Sequence, residues 1–167
     1  MSDTSPAAPA SLTQEEAAAR AATVTVERYD ISLDMTGLLE GETLSSVSTI
    51  TFSATPGSTT FVDCVAEVSA ATLNGTELDL ATISAGRIPL EDLAETNTLV
   101  VTASQSDTAS SEGVLRTVDP SDGNVYVWTS FEPDDARRLW ACFDQPDLKA
   151  VHGFTVAAPE QWTVLSN

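Results

Sequence analysis

The side chains best suited to chemistry crowd into one stretch, Glu132-Pro133-Asp134-Asp135-Ala136-Arg137-Arg138, just after the apolar run Val125-Tyr126-Val127-Trp128. A carboxylate at the end of a strand, facing a cavity, can hold a cationic ligand through a charge-assisted hydrogen bond. Asp135 and Arg138 are expected to staple the local turn by ion pairing, while Glu132 is open to either a structural or a binding role. Hydrolytic chemistry finds little support elsewhere. The one histidine, His152, is followed by Gly153 and Phe154, so there is no H-E-x-x-H helix. Cys64 and Cys142 are too few and too widely separated for a cysteine zinc site. No G-x-S-x-G elbow accompanies His152, which reads as a strand-start histidine making ordinary contacts. Glycine-rich phosphate loops are missing as well. On residue types alone the chain carries no recognisable catalytic centre and no metal site.

The elements that must position this stretch read mostly as strands. Tyr29, Ile31, Leu33 and Met35 alternate with Asp30, Ser32 and Asp34, which places the apolar set on one face. Further strands are expected over 43–53, 59–62, 87–90, 98–103, 124–131, 151–157 and 162–165. Asn74-Gly75 inside Ala71–Leu78 predicts a hairpin with a type I′ turn, because both residues tolerate positive φ. Short strands separated by turn residues argue for an all-β, antiparallel sandwich or barrel. Two departures from strand are expected. Thr13 and Glu16 fit a capping box ahead of an alanine-rich helix over 14–22. Pro133, Asp134 and Asp135 suit the start of one or two helical turns near 134–141. The stretch 104–112 reads as a mobile polar loop. Trp128, Phe131, Trp140, Phe143, Phe154 and Trp162 are expected in the core rather than on a ligand platform.

Composition narrows the function classes. In 167 residues, 25 acids face 7 Lys plus Arg, for a net charge of −18. Nucleic acid and anionic membrane surfaces both require clustered cations, so neither is an expected partner. Residues 1–11 read as a disordered lead without the basic and apolar regions of a secretory signal. A cytoplasmic location is therefore expected, with both cysteines as buried reduced thiols.

Five segments carry a resemblance. They are Tyr29-Asp30-Ile31-Ser32-Leu33-Asp34, Leu73-Asn74-Gly75, Arg116-Thr117-Val118-Asp119-Pro120, Tyr126 through Arg138, and Cys142-Phe143-Asp144-Gln145-Pro146-Asp147-Leu148-Lys149-Ala150. Together they resemble the amino-terminal domain of the aminopeptidase N family, the large zinc aminopeptidases of the gluzincin clan, and in particular the actinobacterial type. The block from Tyr126 to Ala150 is the most specific, and the resemblance covers about 12–167. It implies a saddle-shaped β-sandwich that covers a thermolysin-like catalytic domain. The zinc ligands, the general base and the G-x-M-E-N motif of the family would lie beyond this chain. Zinc would then belong to the parent enzyme and not to this segment. The expected partners are a peptide amino terminus and the catalytic domain of the same polypeptide. In the family a T-Q-x-E element reaches into the active site, and its Glu grips the substrate's free ammonium. That Glu falls on Glu132. The family Gln falls on Ser130, a shorter side chain that cannot reach as far into the first-residue pocket: either it acts through a water or the role of the Gln is lost. Phe131, between them, should point to the opposite face. The domain is expected to be incomplete at its C-terminal end. The reading from another class is a stand-alone β-sandwich for binding or adhesion, which would expose several aromatics on one face.

Overall fold

A computed structural model describes residues 11–41, 43–106 and 112–166. One helix opens the described chain: α1 (Gln14–Thr23), with Thr13 and Glu16 forming the expected capping box. Ten strands follow: β1 (Val24–Asp34), β2 (Leu44–Ala54), β3 (Thr60–Asp63), β4 (Glu67–Leu73), β5 (Thr76–Glu77), β6 (Arg87–Leu90), β7 (Thr96–Gln105), β8 (Gly113–Val118), β9 (Val125–Ser130) and β10 (Val151–Ala157). The main sheet has the order β10-β1-β2-β7-β4-β5, and β3–β6 and β8–β9 form two small sheets. The architecture is the all-β sandwich expected of the sequence.

Period-two burial builds its core. Tyr29, Ile31 and Leu33 of β1 are buried, with Ile50 and Phe52 of β2 and Leu99, Val101 and Ala103 of β7. Val62, Ile88, Leu90, Val114 and the segment Leu139–Phe143 join them in one cluster. A register shift between Val26 and Arg28 leaves Glu27 and Arg28 both exposed and restores the inward phase at Tyr29. At the β4–β5 turn Asn74 and Gly75 have φ of 53° and 81°, as the I′ assignment requires.

Several expectations are corrected. The sheet is not wholly antiparallel, since β10 pairs with β1 in parallel. A long connection from β9 makes this possible by returning the chain to the sheet edge in the same direction. The helical region expected near 134–141 shrinks to a 3-10 turn, Ala136–Arg138. It cannot extend, because Cys142 is drawn into an antiparallel bridge with Asp63. Residues 162–165 form no strand. The Trp162 N–H closes a turn onto the Pro159 carbonyl at 2.9 Å, and Leu165 is 88% exposed. β8, by contrast, is a strand that local sequence pattern does not announce. Trp128 and Phe154 are not core residues, being 47% and 43% exposed. The lead over 1–10 and most of the loop over 104–112 fall outside the described residues, although β7 runs on to Gln105. Cys64 and Cys142 are buried free thiols. Burial pushes Cys64 up to about 12 and raises Cys142 well above its ordinary value. No helix among the described residues is long and apolar enough to cross a membrane.

Candidate functional site

The β8–β9 hairpin is the platform. Its turn is held by Asp119, whose N–H donates to the Asn124 carbonyl at 2.9 Å and whose carboxylate accepts from the Ser121 N–H at 2.8 Å. One face looks inward. Val114 is fully buried there and Val127 packs on the core. Arg116 donates to the carbonyls of Leu38 and Leu39 at 2.5 and 2.8 Å, anchoring the hairpin to the rest of the fold. The other face is open. Tyr126 and Trp128 are each about half exposed, and Ser130 follows at the same spacing of two. Thus Tyr126, Trp128 and Ser130 lie in one row, and Glu132 comes just beyond its end.

The turn that holds Glu132 is built from paired charges. The Asp135 N–H donates to the Phe131 carbonyl at 3.0 Å. Arg137 Nη2 meets Asp134 Oδ2 at 2.9 Å, and Arg138 Nε meets Asp135 Oδ1 at 2.5 Å, so the expected stapling of Asp135 by Arg138 is present. Glu132 is exposed and makes no hydrogen bond or ion pair with another described residue. Phe131 turns the other way, partly buried and edge-on to Trp140 with ring centroids 5.2 Å apart. Pro133, after a cis peptide bond, borders a cleft of about 400 Å³ walled by Tyr29, Trp140, Asp144 and His152.

Behind that cleft lies a buried polar cluster. On the exposed rim of the cleft, outside this cluster, the His152 ring stacks on Tyr29 at 4.7 Å, and its Nδ1 sits 3.1 Å from the Ala150 carbonyl. Asp63 Oδ2 accepts from Arg20 Nη1 at 2.8 Å and from the Asp144 N–H at 3.2 Å. Asp144 Oδ2 accepts from the Arg137 N–H at 3.0 Å. Burial, with the nearby Asp63 charge adding to it, raises Asp144 to about 6. The guanidiniums of Arg20 and Arg87 both lie over the Phe61 ring, each 4.2 Å from its centroid. Among the described residues no three His, Cys, Asp or Glu side chains gather as a metal site.

The Peptidase M1 N-terminal domain profile matches residues 26–167. The chain belongs to the M1 peptidase family, as its N-terminal domain. The M1 assignment agrees with a relative across nearly the whole chain, aminopeptidase N of Streptomyces lividans, 49% identical over 160 residues. The match covers 93% of this chain but 19% of that protein, so the chain spans about a fifth of its relative's length. Solved M1-like folds agree. Aminopeptidase A of Legionella pneumophila superposes with a TM-score of 0.67 at 14% identity, over 82% of this chain and 16% of its own. An M1 zinc metallopeptidase of Deinococcus radiodurans gives 0.60 at 24% identity, over 82% and 33%. At those identities the likeness is one of fold.

Of the residues singled out by sequence, Ser130 and Glu132 fall at the same end of the open face. Trp128, expected in the core, stands on that face instead, and Tyr126 joins it there. Their spacing of two from Ser130 is the available signal, and the usual burial of aromatics outweighs it in a sequence.

Proposed function

We propose that this M1 N-terminal domain anchors the substrate of a zinc-dependent aminopeptidase, with Glu132 as the acid that receives the free amino terminus of a peptide. The rest of the polypeptide supplies the catalytic centre. One observation carries this reading: Asp134 and Asp135 are each paired with an arginine, while the exposed Glu132 side chain meets no partner among the described residues at the end of the open face.

The chemistry follows from charge and distance. A peptide α-amino group, with an ordinary pKa of about 8, is cationic at neutral pH. A carboxylate fixed on a rigid hairpin end accepts its hydrogens and sets how far the first peptide bond lies from that anchor. In open water such a pair contributes about 0–1 kcal/mol. Covered by the remaining polypeptide, which lowers the local dielectric, it becomes far stronger. Ser130 lines the same end with a short hydroxyl, which suits contact with the first residue of the peptide through a water.

The test uses the full-length polypeptide that carries this domain. Glu132→Ala should weaken kcat/KM for amino-acyl arylamides by about 2–5 kcal/mol, the cost of removing one partner of a desolvated charge pair. An unchanged kcat/KM would refute the anchoring role.

A further inference from the structure

We infer that Arg138 is a positioning residue for this anchoring site, fixing where Glu132 stands by clamping both ends of the segment that carries it. The inference rests on the anchoring role proposed for Glu132.

One end is the β8–β9 ladder, where Ser130 pairs with Gly113. Arg138 lies directly on that glycine. A Cβ built at Gly113 would come within 2.8 Å of Arg138 Cδ and 3.0 Å of Arg138 Cβ, and Gly113 has a φ of +82°. Glycine therefore serves twice at this position: it admits the arginine stem and it adopts the left-handed backbone. The other end is the turn after Glu132, where Arg138 Nε holds Asp135 Oδ1 at 2.5 Å. A third tie runs from Arg138 Nη2 to Glu112 Oε2 at 2.8 Å, just ahead of β8. Phe131, Glu132, Pro133 and Asp134 are thus suspended between Ser130 and Asp135, and one side chain touches the supports of both. The arginine is itself well founded. Its neighbours Arg137 and Leu139 are buried, and the Arg137 carbonyl accepts from the Val65 N–H at 2.8 Å. Guanidinium geometry matters, because its planar fork reaches two carboxylates at once and an ammonium would hold them less rigidly.

The experiment is a set of variants in the full-length polypeptide, read as separate KM and kcat values on an amino-acyl arylamide. Arg138→Ala should raise KM about tenfold through misplacement of Glu132 and should lower kcat as well, because the scissile bond shifts with its anchor. Arg138→Lys should recover part of that loss, since its stem still covers Gly113. The double variant Glu132→Ala/Arg138→Ala should be no worse than Glu132→Ala alone, because a positioning residue has nothing left to position. Should Arg138→Ala fail to fold, Arg138→Lys and Asp135→Asn carry the same KM test. If Glu132→Ala raises KM but the Arg138 and Asp135 variants leave it unchanged, the positioning role is refuted and anchoring stands. Multiplying effects in the double variant, or a loss confined to kcat, also refute it. If Glu132→Ala itself leaves KM unchanged, the anchoring role fails first.

Discussion

Asp144 couples the stability of the fold to pH. Its folded value of about 6 lies above the ordinary 3.8, so the folded state holds this proton more tightly than the unfolded chain does. The associated stability is whole below pH 3.8 and is lost as pH rises through about 6. Asp144→Asn removes the charge and keeps an oxygen for the Arg137 N–H. Urea unfolding should show wild type losing stability relative to the variant between about pH 4 and pH 6, with the gap levelling off above that range. Parallel pH profiles would rule out a buried, shifted Asp144. At this scale the sequence is partly legible. The pairing of Asp135 with Arg138 follows from charge and spacing. The meeting of Asp144, Asp63 and Arg20 does not, because three distant segments have to fold together before those groups are near each other.

At the scale of elements, helix α1 shows how little of its stability is its own. Ten residues make a marginal helix in water, and three side chains tie it down. Arg87 pairs with Glu16, Gln145 Nε2 donates to the Ala17 carbonyl, and Arg20 pairs with Asp63 at 2.8 Å. The last pair has side-chain exposures of 1% and 3%, so breaking it strands a buried charge. Arg20→Met should cost about 3–5 kcal/mol in denaturant unfolding. A loss below about 1 kcal/mol would mean that the pair is dispensable. The capping box, the Asn74-Gly75 turn and the alternating strands are readable because their causes are local. β8 is not, since Gly113-Val114-Leu115-Arg116-Thr117-Val118 shows weak alternation and is a strand only because β9 lies opposite. The extended residues after Trp162 err in the other direction: β-propensity without a partner strand makes no ladder.

At the scale of the molecule, several large apolar side chains stay exposed, and two of them, Tyr126 and Trp128, stand in the row that leads to Glu132. Val118, Tyr126 and Trp128 on the hairpin and Val151 and Phe154 on β10 are large apolar side chains left open. Exposed groups of this kind mark surfaces that another body covers. Under the proposed anchoring role that body is the remainder of an aminopeptidase, and its arrival is what dries the surroundings of Glu132. The acidic composition weighs against nucleic acid as a partner, and the Tyr126–Ala150 block carries the family. Neither says that Glu132, rather than Asp134 or Asp135, is the acid of this turn that no arginine meets, because that depends on where Arg137 and Arg138 reach in three dimensions.

The most direct test of anchoring by Glu132 compares two competitive inhibitors of the full-length polypeptide, an amino acid amide and its analogue lacking the α-amino group. Wild-type protein should bind the amine-bearing compound more tightly by about tenfold or more, and Glu132→Ala should abolish the preference while leaving affinity for the deaminated analogue unchanged. An equal preference for the amine in both proteins would contradict the anchoring role.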